Sequence, residues 1–158
     1  MKDNLTSFFD ITQKMLEQIN DMIRSEQEKR NALLNHEGEK IESLLQEQQA
    51  KMMKLEGLEK KRLAAQSQAG FEGLSSSEIL AKLSKDDSIL FTRLFSDLQN
   101  ATSQLQELNQ LSLEIATTEL NLMQHFAGVS PENHANLYQP SGKKRVSSHL
   151  GKTFEEKI

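Results

Sequence analysis

The sequence predicts an all-α fold: an elongated up-and-down antiparallel bundle of three to four long helices, with a coiled-coil-like seam and a flexible C-terminal tail. The 158-residue chain has no proline before Pro131, so nothing interrupts unusually long helices. Its apolar residues recur at spacings of three and four, as they do along one buried face of a helix. It has seven phenylalanines, one tyrosine and no tryptophan, a composition that suits helices packed along narrow seams.

The first helix is predicted from an apolar series near the N-terminus. This series consists of Leu5, Phe9, Thr12, Leu16, Ile19 and Ile23. The pattern fades over residues 24–31, which contain no apolar residue, and resumes weakly at Leu33 and Leu34. The stretch NHEG, residues 35–38, predicts a turn with Gly38 as the stop signal. The alternative is a first helix that runs through Gly38 at a cost of about 1 kcal/mol.

A second apolar series predicts another long helix. Its members are Ile41, Leu44, Leu45, Gln48, Met52, Leu55, Leu58 and Leu63. This helix is predicted to end near residues 67–77, SQAGFEGLSSS, whose glycines and serines mark an interior loop. Ser75 and Glu78 match a capping box, which predicts a short helix over EILAKLS.

The last helix has the most regular pattern, and Asp86 and Asp87 are predicted to cap it. Its seam is Phe91, Leu94, Leu98, Ala101, Leu105, Leu108, Ser112, Ile115, Glu119, Leu122 and Phe126. Such a series predicts a helix of about 40 residues, about 60 Å long, ended by Gly128 and Pro131. Because the connections are short, neighbouring helices are predicted to be antiparallel.

The chain divides by charge into a helical bundle, residues 1–128, and a C-terminal tail, residues 129–158. The body has 14 basic and 20 acidic residues, whereas the tail has five basic and three acidic ones. The densest basic cluster, Lys143, Lys144 and Arg145, lies in this tail. A change of charge at a domain boundary is typical of a separate functional segment. We therefore predict that the tail binds a partner and is flexible, or folds on binding.

Four apolar residues of the tail are spaced by four: Val146, Leu150, Phe154 and Ile158. Ser147 or Ser148 could cap a short helix that carries them on one face. A helix of about 11 residues is marginal alone in water, and anchors at this spacing are typical of helix-in-groove recognition. The alternatives are that this face packs back on the bundle or is a frayed terminus.

The sequence carries no recognisable catalytic or metal-binding constellation. His36, His125, His134 and His149 show no ligand spacing, and the chain has no cysteine. The glycine-containing loop lacks the Gly-Lys-Ser/Thr of a phosphate loop. We therefore expect no enzyme activity, no cofactor and no metal.

Composition also excludes several partner classes. With a net charge of −4, nucleic-acid binding is not expected, although the cluster at residues 143–145 leaves a nucleic-acid adaptor as a minor alternative. The N-terminus lacks the apolar region of a signal peptide, and no stretch is long and apolar enough for a membrane span. A cytoplasmic location is the default expectation.

Three stretches of the chain resemble the FlgN family of flagellar export chaperones. Residues 33–71 look like the second-helix segment of the family, with the spacing Lys51, Leu55, Leu58, Glu59 and Arg62. Residues 105–123, LQELNQLSLEIATTELNLM, are similar to its late-helix stretch around Asn109 and Leu111. LYQPSGK, residues 137–143, resembles its tail motif, matched by Tyr138 and Gly142. The chain departs from typical members in its few arginines and in the polar gap at residues 24–31.

This resemblance implies a cytoplasmic chaperone of type III flagellar export. Its partners would be hook–filament junction proteins, whose helical terminal segments it holds, and the export gate with its associated ATPase. Carried over to this chain, Tyr138 would contact the gate. The substrate contacts would be Val146, Leu150 and Phe154.

A self-associating structural or regulatory coiled coil is the alternative from another class of protein. In that case the seam of residues 91–126 would form the interface of a homodimer. The sequence leaves the oligomeric state open.

Overall fold

The computed structural model describes residues 1–128, which form four helices. The helices are α1 (Asp3–Leu34), α2 (Gly38–Gln68), α3 (Ser76–Lys82) and α4 (Lys85–Ala127). Three of them are long, with 32, 31 and 43 residues, and α3 is a single short segment of seven. No strand occurs within this part of the chain. The predicted all-α class and the two predicted connections are therefore confirmed.

Contacts at the two ends of the bundle define its topology as up, down, up. At one end, Asn4 Nδ2 donates a hydrogen bond to the backbone oxygen of Gln68 over 3.0 Å, so α1 and α2 are antiparallel. The rings of Phe8 and Phe91 stack at the same end, with centroids 5.5 Å apart. At the other end, His36 Nδ1 lies 3.4 Å from Glu119 Oε1. The helices α1 and α4 therefore run parallel, and α1 packs against both α2 and α4.

Five of the seven phenylalanines gather at the end where α1 and α4 begin, which we call the aromatic end. They are Phe8, Phe9, Phe71, Phe91 and Phe95. Phe8 is fully buried and contacts three of the other rings. The predicted stripe of α1 contained Phe9 but missed Phe8, because a helix that packs against two neighbours buries a wider face than a single-seam pattern describes.

The opposite end, which we call the distal end, contains the turn of residues 35–37 and the last residues of α4. The turn is confirmed, but its left-handed residue is His36, with φ of 57°, whereas Gly38 is the first residue of α2. The amide of His36 donates to the oxygen of Leu33, and that of Glu37 donates to the oxygen of Ala32. These two bonds form a Schellman motif. The prediction that Gly38 is the stop residue was therefore wrong.

The helix starts follow local sequence signals. The predicted capping box is confirmed, since Ser75 Oγ accepts from the amide of Glu78 and the Glu78 carboxylate accepts from the amide of Ser75. The prediction that Asp86 or Asp87 caps α4 was wrong. The cap is Ser84, whose hydroxyl accepts from the amide of Asp87 over 3.2 Å. The two aspartates lie in the first turn, where negative charge favours the helix dipole.

The polar gap of residues 24–31 is not an interruption of the packing. Glu26 is buried, with its carboxylate 3.0 Å from Lys29 Nζ and accepting from Gln48 Nε2 over 2.8 Å. Lys29 also donates to Gln48 Oε1 over 3.1 Å. We call these three residues, with the buried hydroxyls of Ser25 and Ser112, the polar layer. The layer lies between the hydrophobic core and the distal end.

Candidate functional site

All six tail residues predicted to bind partners lie outside the described residues. They are Tyr138, Gly142, Val146, Leu150, Phe154 and Ile158. The predicted tail as a whole, residues 129–158, is outside that range as well, as is Pro131. The structure describes the body from which the tail emerges, up to Gly128, whose left-handed conformation caps α4 as predicted.

The α4 helix is longer than the helix beside it. Phe8 faces Phe91 and His36 faces Glu119, so a residue of α1 lies level with the residue of α4 that is 83 positions later. Because α1 ends at Leu34, the residues of α4 from Glu119 onward lie beyond it. We call residues 119–127 the α4 extension. At 1.5 Å per residue, it is about 13 Å long.

The α4 extension carries an exposed apolar surface, which we call the exposed stripe: Leu122, Met123 and Phe126. These side chains are 52%, 66% and 84% exposed. With Glu119 they have the spacing of one helix face, and together with His36 they line a shallow surface pocket.

The predicted seam is confirmed from Phe91 to Glu119, where its residues are buried or half-buried, and fails at its last two residues. Leu122 and Phe126 were expected to pack in the bundle but are exposed because α1 has already ended. Sequence reasoning also missed Met123. The available signal was the length of the seam, which exceeds that of the first apolar series.

The distal half of the body is acidic. Residues 26–48 and 109–128, which lie beyond the contact between Glu26 and Gln48, contain eight acidic and three basic residues, for a net charge of −5. The rest of the body contains 12 acidic and 11 basic residues, a net charge of −1. The exposed stripe therefore lies at the negatively charged end of the bundle.

The second-helix residues that carried the family resemblance hold the bundle together. Leu55 is buried in the core with Ile19 and Leu98. Arg62 is buried and forms a two-pronged ion pair with Glu59, with distances of 2.8 and 2.9 Å. These residues therefore act as scaffold, which explains their spacing without any contact to a partner.

The ion pair of Asp21 and Lys51 joins α1 to α2. Lys51 Nζ lies 3.0 Å from Asp21 Oδ2 and 2.7 Å from Glu47 Oε1. The hydrogen bond from Lys51 is the largest cause that lowers the pKa of Asp21. Partial burial opposes charge on Lys51, but hydrogen bonds to Glu47 and Asp21 outweigh it and raise the pKa of Lys51. Both shifts favour the charged forms in the folded protein.

Residues 1–128 contain no cluster of three or more His, Asp or Glu side chains placed to hold a metal ion. Within the same range, no helix has the length and hydropathy needed to cross a bilayer. The fold and the exposed stripe define a helical bundle with an exposed apolar face near the end of α4. Such a face is typical of a protein that binds other proteins.

The comparison with protein families gives a more specific result. The family model "FlgN protein" matches residues 1–145. The chain therefore belongs to the FlgN family, a family of flagellar export chaperones, and the suspected resemblance is confirmed. Neither the comparison with curated proteins nor that with solved structures found a match.

Proposed function

We propose that this protein is a cytoplasmic export chaperone that binds hook–filament junction proteins, prevents their premature association and delivers them to the type III export apparatus. The single observation that supports this most directly is the exposed stripe on the α4 extension, at the C-terminal end of the described residues. Family membership supports the general chaperone role.

The exposed stripe has the chemistry needed to hold an amphipathic helix. Its residues present an apolar surface about one turn long, and an incoming helix binds such a surface through anchors at spacings of three and four. In water, the same surface is unfavourable to leave uncovered, at about 25 cal/mol for each Å² of apolar area. A bound helical segment from a substrate would cover it.

The tail would add a second binding surface for the substrate. Residues 1–128 would form the rigid body and residues 129–158 the partner-binding segment. Val146, Leu150, Phe154 and Ile158 would contact the substrate. Tyr138 and Gly142, which match the family's tail motif, would bind the export gate. A segment that folds on binding uses part of its binding energy for ordering, so the complex stays releasable.

The tail assignment is tested by measuring the affinity of a purified hook–filament junction protein for the full chain and for a variant. The variant carries Val146→Asp, Leu150→Asp and Phe154→Asp, and we expect its affinity to fall at least about tenfold, since three apolar contacts are lost. The matched control carries Ser141→Asp, Ser147→Asp and Thr153→Asp, which add the same charge without removing an apolar anchor. Equal affinities for both variants would contradict the assignment.

The proposed contact of Tyr138 with the export gate can be tested separately from substrate binding. We expect Tyr138→Ala to bind the junction protein like the native chain, but to lose binding to the cytoplasmic part of the export gate. Retained gate binding would remove Tyr138 from the proposal.

Self-association remains the alternative function, because the exposed stripe could also face a second copy. Such a dimer interface would be small, because the seam from Phe91 to Ser112 already packs against α1 of the same chain. Sedimentation equilibrium of the full chain distinguishes the two functions. A stable dimer that dissociates on Leu122→Ser and Phe126→Ser would support the alternative.

A further inference from the structure

We propose that the tail of this chain covers the exposed stripe of its own bundle when no substrate is bound. The occupant is residues 143–158, with the basic cluster Lys143–Lys144–Arg145 on the acidic distal end and Val146, Leu150 and Phe154 against Leu122, Met123 and Phe126. The contact is a property of the free chain. Only its role in regulating substrate access depends on the proposed function.

Charge complementarity is the first argument. The distal half of the body carries a net charge of −5, whereas the tail carries +2, with three positive charges at consecutive positions. Exposed carboxylates lie in the distal half on two helices, with Glu114 on α4 and Glu39 and Glu42 at the start of α2. The aromatic half, with a net charge close to zero, offers the cluster no comparable attraction.

Chain length is the second argument. Fourteen residues lie between Gly128 and Lys143, and a random-coil chain of that length spans about 20 Å on average. The α4 extension is about 13 Å long, so the basic cluster can fold back along it without stretching the connection. A connection of this length therefore allows the tail to reach the exposed stripe.

The apolar face of the tail is long enough to cover the exposed stripe. If Val146, Leu150 and Phe154 lie on one helix face, they extend over eight residues, about 12 Å. The exposed stripe extends over four residues, from Leu122 to Phe126, about 6 Å. A short tail helix is marginal alone in water. Contact with the exposed stripe would cover both apolar surfaces.

The covalent connection favours the chain's own tail over a second copy as the segment that covers the exposed stripe. A segment held by a short flexible connection has an effective concentration of about millimolar at its target. A second copy at micromolar concentration would need an affinity about a thousandfold higher for the same contact. A substrate helix of higher affinity would still displace the tail, which gives the free protein a protected state.

The contact can be measured in the full chain by paramagnetic relaxation. The chain has no cysteine, so Ser148→Cys gives a single site for a nitroxide label. We expect relaxation enhancement at the amides of Glu39–Glu42 on α2, which are distant from Gly128 along the chain. The enhancement should fall several-fold when Lys143, Lys144 and Arg145 are each replaced by Glu, and also in about 1 M salt, where the Debye length is about 3 Å.

Two further variants make the result specific. The matched charge control replaces Lys54, Lys60 and Lys61, exposed residues on the other half of α2, by Glu and should keep the enhancement. Leu122→Ser with Phe126→Ser should lose it, which tests the contact from the side of the bundle.

Two results would overturn the proposal. One is equal enhancement in the native chain and in the variant with the basic cluster reversed. The other is enhancement that appears only between a labelled and an unlabelled copy in a mixed sample, which would assign the contact to a second chain. Because no substrate is present, neither result bears on whether the protein is an export chaperone.

Discussion

At the scale of single residues, His36 has the least favourable backbone conformation for its residue type. Its φ of 57° places a residue with a Cβ in the left-handed region, where glycine is preferred. The other two described helix ends that use this region, at Gly70 and Gly128, have glycine there. Its 3.4 Å contact with Glu119 Oε1 involves a mostly exposed imidazole and so contributes little.

We predict that His36→Gly raises the free energy of unfolding by up to about 1 kcal/mol, because the backbone strain is removed. The measurement is urea denaturation of the full chain. Asn35→Gly is the control, since Asn35 has a φ of −94° and gains nothing from glycine. A destabilised His36→Gly variant would mean that the contact with Glu119 outweighs the strain.

The ion pair of Asp21 and Lys51 makes a second prediction at this scale. The hydrogen bond from Lys51 lowers the pKa of Asp21 in the folded protein. Such a carboxylate stabilises the fold above its ordinary pKa of about 4, and this contribution disappears as the pH falls through the folded-state pKa. We expect Asp21→Asn to lose less stability than the native chain between about pH 5 and pH 3.

The measurement is urea denaturation at each pH, with exposed Asp10→Asn as the control. At neutral pH the Asp21→Asn variant should be less stable by under about 1 kcal/mol, because the pair is partly exposed. An unchanged dependence on pH would show that this pair does not contribute to the acid sensitivity of the fold.

At the scale of the helices, the polar layer is the least satisfied part of the packing. Three buried side-chain oxygens within the described residues lack a hydrogen-bond partner: Ser25 Oγ, Glu26 Oε1 and Ser112 Oγ. A buried hydroxyl without a partner costs about 1–3 kcal/mol. The layer therefore weakens the bundle between its core and the distal end.

We predict that Ser112→Ala stabilises the protein by about 1 kcal/mol more than Ser103→Ala. Ser103 is exposed on the same helix, so its variant reports helix propensity alone. Thermal or urea denaturation of both variants gives the difference. A Ser112→Ala variant that is less stable than Ser103→Ala would indicate that the hydroxyl is satisfied in solution by water.

The helices also show how far the sequence could predict this structure. Some signals within a few residues were correct: the capping box of Ser75 and Glu78, the loop after Gln68 and the end of α4 at Gly128. Two others indicated the right boundary but the wrong residue, at Gly38 and at the cap of α4. Glu26 was part of an apparent gap because its burial depends on Gln48, which is distant in sequence. A local pattern contains no information about such a partner.

At the scale of the whole molecule, the candidate site arises from a difference in helix length. The seam pattern placed Leu122 and Phe126 inside the bundle, since periodicity shows which face of a helix is apolar but not where its neighbour ends. The relative position of α1 and α4 depends on the aromatic end, where Phe8 packs against Phe91. Only the assembled fold shows that Leu122, Met123 and Phe126 stay exposed near the end of α4.

The most direct test of the central claim is the affinity of a purified hook–filament junction protein for the full chain and for two matched double variants. Leu122→Ser with Phe126→Ser removes the exposed stripe, whereas Ile89→Ser with Leu90→Ser removes two exposed apolar residues at the aromatic end. The account predicts that Kd rises at least about tenfold, or about 1.4 kcal/mol, for the first variant alone. An unchanged Kd for the first variant, or an equal rise for both, would contradict it.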